Sequence, residues 1–344
     1  MRIGVLTAGG DCPGLNAAIR AVVRSAMQRG DEVVGIRHGY RGLAEDDFLP
    51  LDRRAVAGIL FQGGTILGTT SFEPIREGAA EQVTAAFAAQ GLDAVVAIGG
   101  EHTMEITRQL HADHGLPLVG VPKTIDNDVG GTDFTFGFDT AVQVVTDALD
   151  RLHTTAQSHD RIMVVEVMGR NTGWIAAYAG LAGGADCIVI PEQTTTVEEV
   201  CRGVTRRHDQ GKDFSIIVVA EGAKLAFASG EERLIQPIKD SDEYGYPRLG
   251  GIGAALAREV EELTGYETRV TVLGHVQRGG TPTSTDRILA TLYGAQGYEL
   301  AKAGEFGRMA AIHGREMTSV PLSEAVKVKQ VDLRVLEIAK RFFT

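Results

Sequence analysis

The chain has 344 residues, a formal charge of −11, 44% apolar residues and 6% aromatic residues. That length suggests roughly two domains with packed cores, and the acidic balance argues against general binding to nucleic acid or to a membrane surface. Three cysteines, Cys12, Cys187 and Cys201, lack CxxC spacing, which excludes a disulfide framework or a zinc site and fits a reducing, cytoplasmic compartment.

In chain order, residues 3–7 read as a strand that starts too early to leave room for a signal peptide. A Gly-rich turn, 8–14, leads into a helix whose Leu15, Ala18, Ile19, Val22, Val23 and Ala26 share one apolar face. Further strands are predicted at 32–36, 94–98, 116–121, 162–167, 187–190, 215–220 and 268–273. Several are continuous apolar runs, the pattern of parallel strands covered on both faces. With helical stretches between them, the chain reads as α/β, with two doubly wound, mostly parallel-sheet domains. The apolar stretch 173–190 is rich in Gly and Ala and contains Asp186, so it reads as core and not as a membrane span. Residues 223–250 are polar and aperiodic, as expected of a surface excursion. A last helix is predicted at 332–342, with Val335, Ile338 and Phe342 on one side.

Three Gly-rich segments bear on function: Gly9-Gly10-Asp11, 63–69, and Gly99-Gly100-Glu101-His102-Thr103. Each is expected to follow a strand, where free N–H groups and a helix dipole bind phosphate without help from a side chain. None matches a Walker A or a GxGxxG pattern. Glu101 beside such donors would repel an anion unless a hard cation, Mg²⁺, bridges carboxylate and phosphate oxygens; as a plain helix-start acid it would only face the dipole. Residues 122–128, Pro-Lys-Thr-Ile-Asp-Asn-Asp, follow a buried strand and place Asp126 and Asp128 beyond its carboxyl end. In an extended segment these two carboxylates point the same way, so one can take a proton while the other holds a cation. Arg161, Arg170, Arg269 and Arg278 lie at strand ends, and guanidinium forks there suit a phosphorylated substrate.

Together the segments 9–20, 63–69, 98–103, 122–128, 158–170 and 273–287 resemble the 6-phosphofructokinase family, in order and across nearly the whole chain. Lys123 resembles the actinobacterial branch, which includes ATP users and pyrophosphate users. The resemblance implies a donor-binding domain, 1–137 plus about 282–330, and a sugar-phosphate-binding domain, about 138–281 plus 331–344. It implies transfer of a phosphoryl group to the C1 hydroxyl of fructose 6-phosphate, giving fructose 1,6-bisphosphate, with Mg²⁺ as cofactor. Asp126 is then the base, Asp128 and Glu101 hold the metal, Thr124 contacts the moving phosphoryl group and Arg170 stabilises its charge. Ile125, Met168, Gly169, Glu221, His275 and Arg278 surround the sugar phosphate. Arg161 and Arg269 resemble residues supplied by a neighbouring subunit, which implies a homo-oligomer, dimer or tetramer, with shared sites. Gly10, Tyr40, Gly100, Glu101, His102, Thr103 and Lys123 fall to the phosphoryl donor.

Three positions depart from the family pattern. His102 stands where ATP users have Gly and pyrophosphate users Asp, Ser71 replaces an Arg that meets donor phosphate, and Ile106 replaces a Gly that lets adenine approach. Bulk at His102 favours pyrophosphate; family frequency favours ATP, which is the donor expected here. The family's effector site is matched at Arg20, Arg24, Arg53 and Lys212 only, with Asp186 in place of a Glu and with His153, Gln210 and Phe214 at basic positions. The other readings are action on a related sugar phosphate such as sedoheptulose 7-phosphate, and a catalytically weak paralogue that only binds sugar phosphate.

Overall fold

The computed structural model describes residues 1–226, 232–233 and 250–343, so most of the polar excursion expected at 223–250 lies outside the described residues. The strands in chain order are β1 (Arg2–Thr7), β2 (Glu32–Ile36), β3 (Phe48–Pro50), β4 (Ala94–Gly99), β5 (Leu118–Thr124), β6 (Phe136–Gly137), β7 (Ile162–Val167), β8 (Cys187–Val189), β9 (Thr195–Thr196), β10 (Ser215–Ala220), β11 (Leu225–Ala226), β12 (Glu232–Arg233), β13 (Thr268–Val272), β14 (Arg308–His313) and β15 (Glu316–Pro321). The helices are α1 (Leu15–Gln28), α2 (Tyr40–Ala44), α3 (Ala80–Ala89), α4 (Glu101–His114), α5 (Phe138–His159), α6 (Trp174–Ala182), α7 (Val197–Asp209), α8 (Ile252–Thr264), α9 (Ser284–Ala303), α10 (Leu322–Ala325) and α11 (Leu333–Lys340). Two compact units form: Met1–Thr140 with Arg278–Lys329, and Ala141–Gln277 with Gln330–Thr344.

In the first unit the sheet runs β15-β14-β5-β4-β1-β2-β3, with β6 paired to β5. Its centre is parallel, from β14 through β5, β4 and β1 to β2. Both rims are antiparallel, β2 with β3 and β14 with β15. Every residue of β4 is buried, as an all-apolar strand covered on two faces demands. One face packs Val34, Ile36, Val95 and Ala97 against Tyr40, Val83, Phe87, Ile106 and Leu110 of α2, α3 and α4. α1 and α9 pack on each other, and α9 also packs on β4 and β5. The chain leaves β1 toward β2 and then returns to the other side of β1 as β4. The topological switch therefore lies between β1 and β4, where open α/β sheets take ligands beyond their strand carboxyl ends.

In the second unit β13-β7-β10-β8 form a parallel sheet and β12-β11-β9 a small one. Ile162, Val164, Val189, Ile217 and Val219 bury one sheet face against Val200, Val204, Leu256 and Val260 of α7 and α8. Here the chain leaves β7 for β8, returns to β10, and ends at β13 on the far side of β7. The carboxyl ends of β7 and β10 thus flank the switch. Among the described residues no helix is long and apolar enough to cross a membrane.

Three expectations need correcting. The strand expected at 116–121 is Leu118–Thr124, so Lys123 and Thr124 end the strand itself. The glycine segment 63–69 lies in turns between β3 and α3 and does not follow a strand directly. The last helix buries Leu336 and Ala339, while Ile338 is 46% and Phe342 69% exposed; the apolar face is one residue round from the one expected.

Candidate active site

Beyond β1 the chain turns through Gly9, whose φ of 76° suits glycine, and enters α1 through Gly14 in the left-handed region. Two cations hold this turn. The buried Lys123 donates from Nζ to the Gly10 carbonyl, and Arg278 Nη1 donates to the Asp11 carbonyl at 3.2 Å. A Cβ at Gly10 would lie 2.7 Å from Arg278 Nη1, so only glycine lets the guanidinium lie against the backbone. Arg278 thus packs with the first unit, whose second segment begins at Arg278, four residues before the boundary expected near 282. Burial, and after it the nearby Arg278 charge, pushes the Lys123 ammonium below its ordinary pKa. The Cys12 thiol is raised by its own burial, which fits a small filler and not a nucleophile.

The segment 63–70 is laced to the same turn. Gly9 N donates to Thr70 O at 3.1 Å, Thr7 Oγ1 donates to Gly68 O at 2.7 Å, and Asn16 Nδ2 donates to Gly63 O at 3.2 Å. At the neighbouring strand end, Gly99 and Gly100 open α4. A Cβ on Gly99 would collide with the Thr103 side chain, and the Gly100 N-cap leaves the first N–H groups of α4 without a side-chain cap. Glu101, half-buried, has its carboxyl raised by burial; His102 opposes this and Glu105 adds to it. His102 Nε2 lies 3.4 Å from Glu73 Oε2, so the imidazole is drawn to the segment that also carries Ser71. Tyr40 is 1% exposed, with its hydroxyl 2.7 Å from Thr107 Oγ1, and Ile106 is 3% exposed. Both belong to the core, so Tyr40 presents no open ring face and its expected donor contact is not retained.

At the end of β5, exposure alternates: Lys123, Ile125, Asn127 and Val129 are buried, while Thr124, Asp126 and Asp128 are half-buried. The expected two-residue period survives, although the segment is not extended throughout. Asn127 adopts φ 49°, which the short polar side chain tolerates. Thr124 Oγ1 accepts from Asp126 N at 3.1 Å and fixes the bend. Burial, then the charge of Asp126, pushes the Asp128 carboxyl up to about 7, and Glu101 adds to the shift. Three acidic side chains thus interact in a partly desolvated region, and their oxygens suit a hard cation. No group of three His, Cys, Asp or Glu residues is close enough to hold a metal unaided among the described residues.

In the second unit Met168, Gly169 and Arg170 leave β7, and Glu221 leaves β10 alongside. Glu221 N donates to Val167 O at 2.8 Å, and Gly222 N donates to Gly169 O at 3.0 Å. A Cβ on Gly222 would sit 1.9 Å from the Arg170 carbonyl, so the two loops meet through bare backbone. Gln277, fully buried, accepts from Met168 N at 3.2 Å and donates to Gly274 O at 2.9 Å, which leaves His275 exposed on the same turn. Arg161 and Arg269 sit at the other end of this sheet. Arg161 precedes β7, Arg269 is the second residue of β13, and both pair with Glu267. At about 3.3 Å per residue, the six residues of β7 set Arg161 about 20 Å from the carboxyl end of the strand that Met168, Gly169 and Arg170 follow.

Sequence reasoning missed four residues that shape these clusters: Glu73, Asn127, Asp286 and Lys329. Asp286, fully buried, accepts from Thr140 N at 2.8 Å and Thr140 Oγ1 at 2.5 Å. Arg20, Arg24 and Arg53 line a cavity of about 540 Å³ in the first unit. In the second unit Asp186 is engaged by Arg207 at 2.8 Å, and His153 Nε2 lies 2.7 Å from Gly183 O.

Comparison with known proteins agrees with this geometry. Residues 2–301 match the family model "Phosphofructokinase". The chain is 49% identical over its full length, and over all of the relative's, to a Streptomyces coelicolor protein named pyrophosphate–fructose 6-phosphate 1-phosphotransferase. It is 52% identical, over 95% of each chain, to ATP-dependent 6-phosphofructokinase 3 of the same organism. Among solved structures, phosphofructokinase from Saccharomyces cerevisiae superposes with a TM-score of 0.80 at 32% identity; the match covers 99% of this chain and 46% of the yeast chain. A family match over most of the sequence, joined to parallel-sheet units with glycine turns at the switch of the first, settles the lineage: the chain belongs to the phosphofructokinase family.

Proposed function

We propose that the protein is a 6-phosphofructokinase that moves a phosphoryl group from ATP to the C1 hydroxyl of fructose 6-phosphate. The observation that carries this reading is the Asp126/Asp128 pair at the end of β5, in which burial, and after it the charge of Asp126, pushes the Asp128 carboxyl up to about 7. Two carboxylates with unequal environments divide acid–base and cation-holding work. Asp126 takes the proton from the C1 hydroxyl as its oxygen attacks the terminal phosphorus and the bond to the leaving phosphate breaks. Thr124 and Lys123 stand at the same strand end, and Arg278 braces the Gly10 turn, so positive charge and free N–H groups converge on the donor phosphates. Asp128 and Glu101 would hold Mg²⁺, which when bound neutralises phosphate charge. Arg170, Met168, Gly169, Glu221 and His275 serve the sugar phosphate, with Arg170 also offsetting charge in transit.

Arg161 and Arg269 lie at the amino end of their sheet, away from Arg170. We read them as serving the site of a second copy, in a homo-oligomer. Pyrophosphate is the second reading for the donor, favoured by the Lys123 ammonium on the Gly10 carbonyl and by the bulk of His102 at the α4 entrance. Formation of fructose 1,6-bisphosphate, followed by coupled assay with ATP and separately with pyrophosphate, tests the proposal. Product with ATP supports the main reading and product with pyrophosphate alone supports the second. Product with neither donor overturns both.

A further inference from the structure

We propose that Lys329 is a positioning residue for the Asp126/Asp128 pair, fixing from a remote part of the chain the backbone that aims both carboxylates. The inference rests on the assignment of those carboxylates to the chemistry. Between them stands Asn127 at φ 49°, a left-handed conformation that asparagine tolerates but does not enforce, so its neighbours decide whether the bend is kept. Its amide oxygen is the point of hold. It accepts from Lys329 Nζ at 3.0 Å across 202 residues of sequence and from Thr135 N at 3.0 Å.

The lysine grips more than the side chain. Nζ also donates to Thr132 O at 3.0 Å and to Asp133 O at 2.8 Å, while the Lys329 backbone N donates to Asp128 O at 2.8 Å. One step earlier, Val328 forms an antiparallel bridge with Val129. A single ammonium, a group with three donors, thus joins the 126–128 bend to the 132–133 loop, and its own main chain holds the last residue of the bend. Thr135 Oγ1 donates in turn to Thr124 O at 2.9 Å, so the end of β5 is tied into the same lattice. Removing the ammonium leaves the carboxylates present but unaimed, and misplacement of a reacting group by about 1 Å costs on the order of a hundredfold in rate.

The test uses the full-length protein with whichever donor the unmodified enzyme accepts. Lys329→Met keeps the chain length and removes the donors. Asn127→Gly keeps the left-handed backbone and removes the acceptor. For Lys329→Met we expect kcat to fall about a hundredfold while KM and calorimetric affinity for fructose 6-phosphate stay within about threefold. Asn127→Gly should lower kcat in the same way, and the double variant should be no worse than the poorer single one, because both changes break one link. Lys329→Arg, which retains donors and charge, should recover part of the loss, and it carries the test with Asn127→Gly if Lys329→Met does not fold. Unchanged kcat in a folded Lys329→Met, additive losses, or a loss confined to sugar affinity would each overturn the inference. Asp126→Ser, assayed in parallel, separates the two levels. If it keeps full turnover, the catalytic assignment itself is wrong; if it loses turnover while Lys329→Met does not, only the role of Lys329 fails.

Discussion

On the proposed reading, Asp126 carries the chemistry and His102 bears on the donor choice. Replacing Asp126 by Ser removes a general base and a positioning group together. Turnover should fall by about a thousandfold or more, while calorimetry still shows fructose 6-phosphate binding. If His102 sets the donor, the position of its imidazole matters, and the ring lies 3.4 Å from Glu73. His102→Gly removes bulk at the mouth of α4, so KM for ATP should drop several-fold while KM for pyrophosphate holds or rises. Glu73→Gln weakens the hold on the ring and should move the ATP-to-pyrophosphate preference only when His102 is present. Steady-state kinetics with both donors on the two singles and the double variant decides it, and an ATP preference that is the same in all four proteins would remove His102 from donor selection.

Among the elements, the first turns of α5 and α9 grip one another. Thr283 caps α9 and donates to Asp139, while Asp286 in that first turn accepts from Thr140 of α5. Burial pushes the Asp286 carboxyl up to about 6 from 3.8, against the pull of its Thr140 hydrogen bonds. An acid with a raised folded pKa favours the fold when protonated. Its contribution is complete below about pH 4 and is lost as pH rises through about 6, on the order of 2–3 kcal/mol. Asp286→Asn keeps an acceptor for Thr140 but never ionises. Urea midpoints measured from pH 4 to 7 should therefore lose that part of their slope, and an unaltered slope would refute the assignment.

The same scale shows what sequence can carry. β2, β7 and β10 were readable end to end, because strands buried on both faces are mostly continuous apolar runs, broken here only by Glu32, Glu166 and Ser215. The hairpin of β14 and β15 was not, since Glu316–Pro321 is half-exposed and its Met, Thr, Ser and Val show no marked period. The face of α11 was misjudged because Ile338 and Phe342, apolar by type, face outward. In the site, the glycine turns and the acid pair could be read because the chemistry is local in sequence. Lys329 and Asp286 could not be, because each acts through a partner 202 or 146 residues away, and only folding creates those contacts.

For the whole molecule, the arginines at opposite ends of one sheet set the strongest demand. Met168, Gly169, Arg170 and Glu221 cluster at strand carboxyl ends, and Arg161 and Arg269 meet at Glu267 near the amino ends. If the second pair completes the site of another copy, mixing can restore what mutation removes. Asp126→Ser and Arg161→Ala/Arg269→Ala proteins, each nearly inactive alone, should regain a measurable fraction of activity after being dissociated and reassembled together. Activity no greater than the sum of the separate proteins would mean that each chain works with its own residues.

β13 is the outer strand of its sheet, with Val270 40% and Val272 56% exposed beside Arg269. Among the described residues nothing pairs with that edge, and apolar side chains left there are costly in water and tempting to any passing strand. If Arg269 does serve another copy, a strand that carries both that guanidinium and exposed valines makes solitude doubly expensive. On dilution, specific activity and resistance to aggregation would decline along one curve, set by how many copies meet.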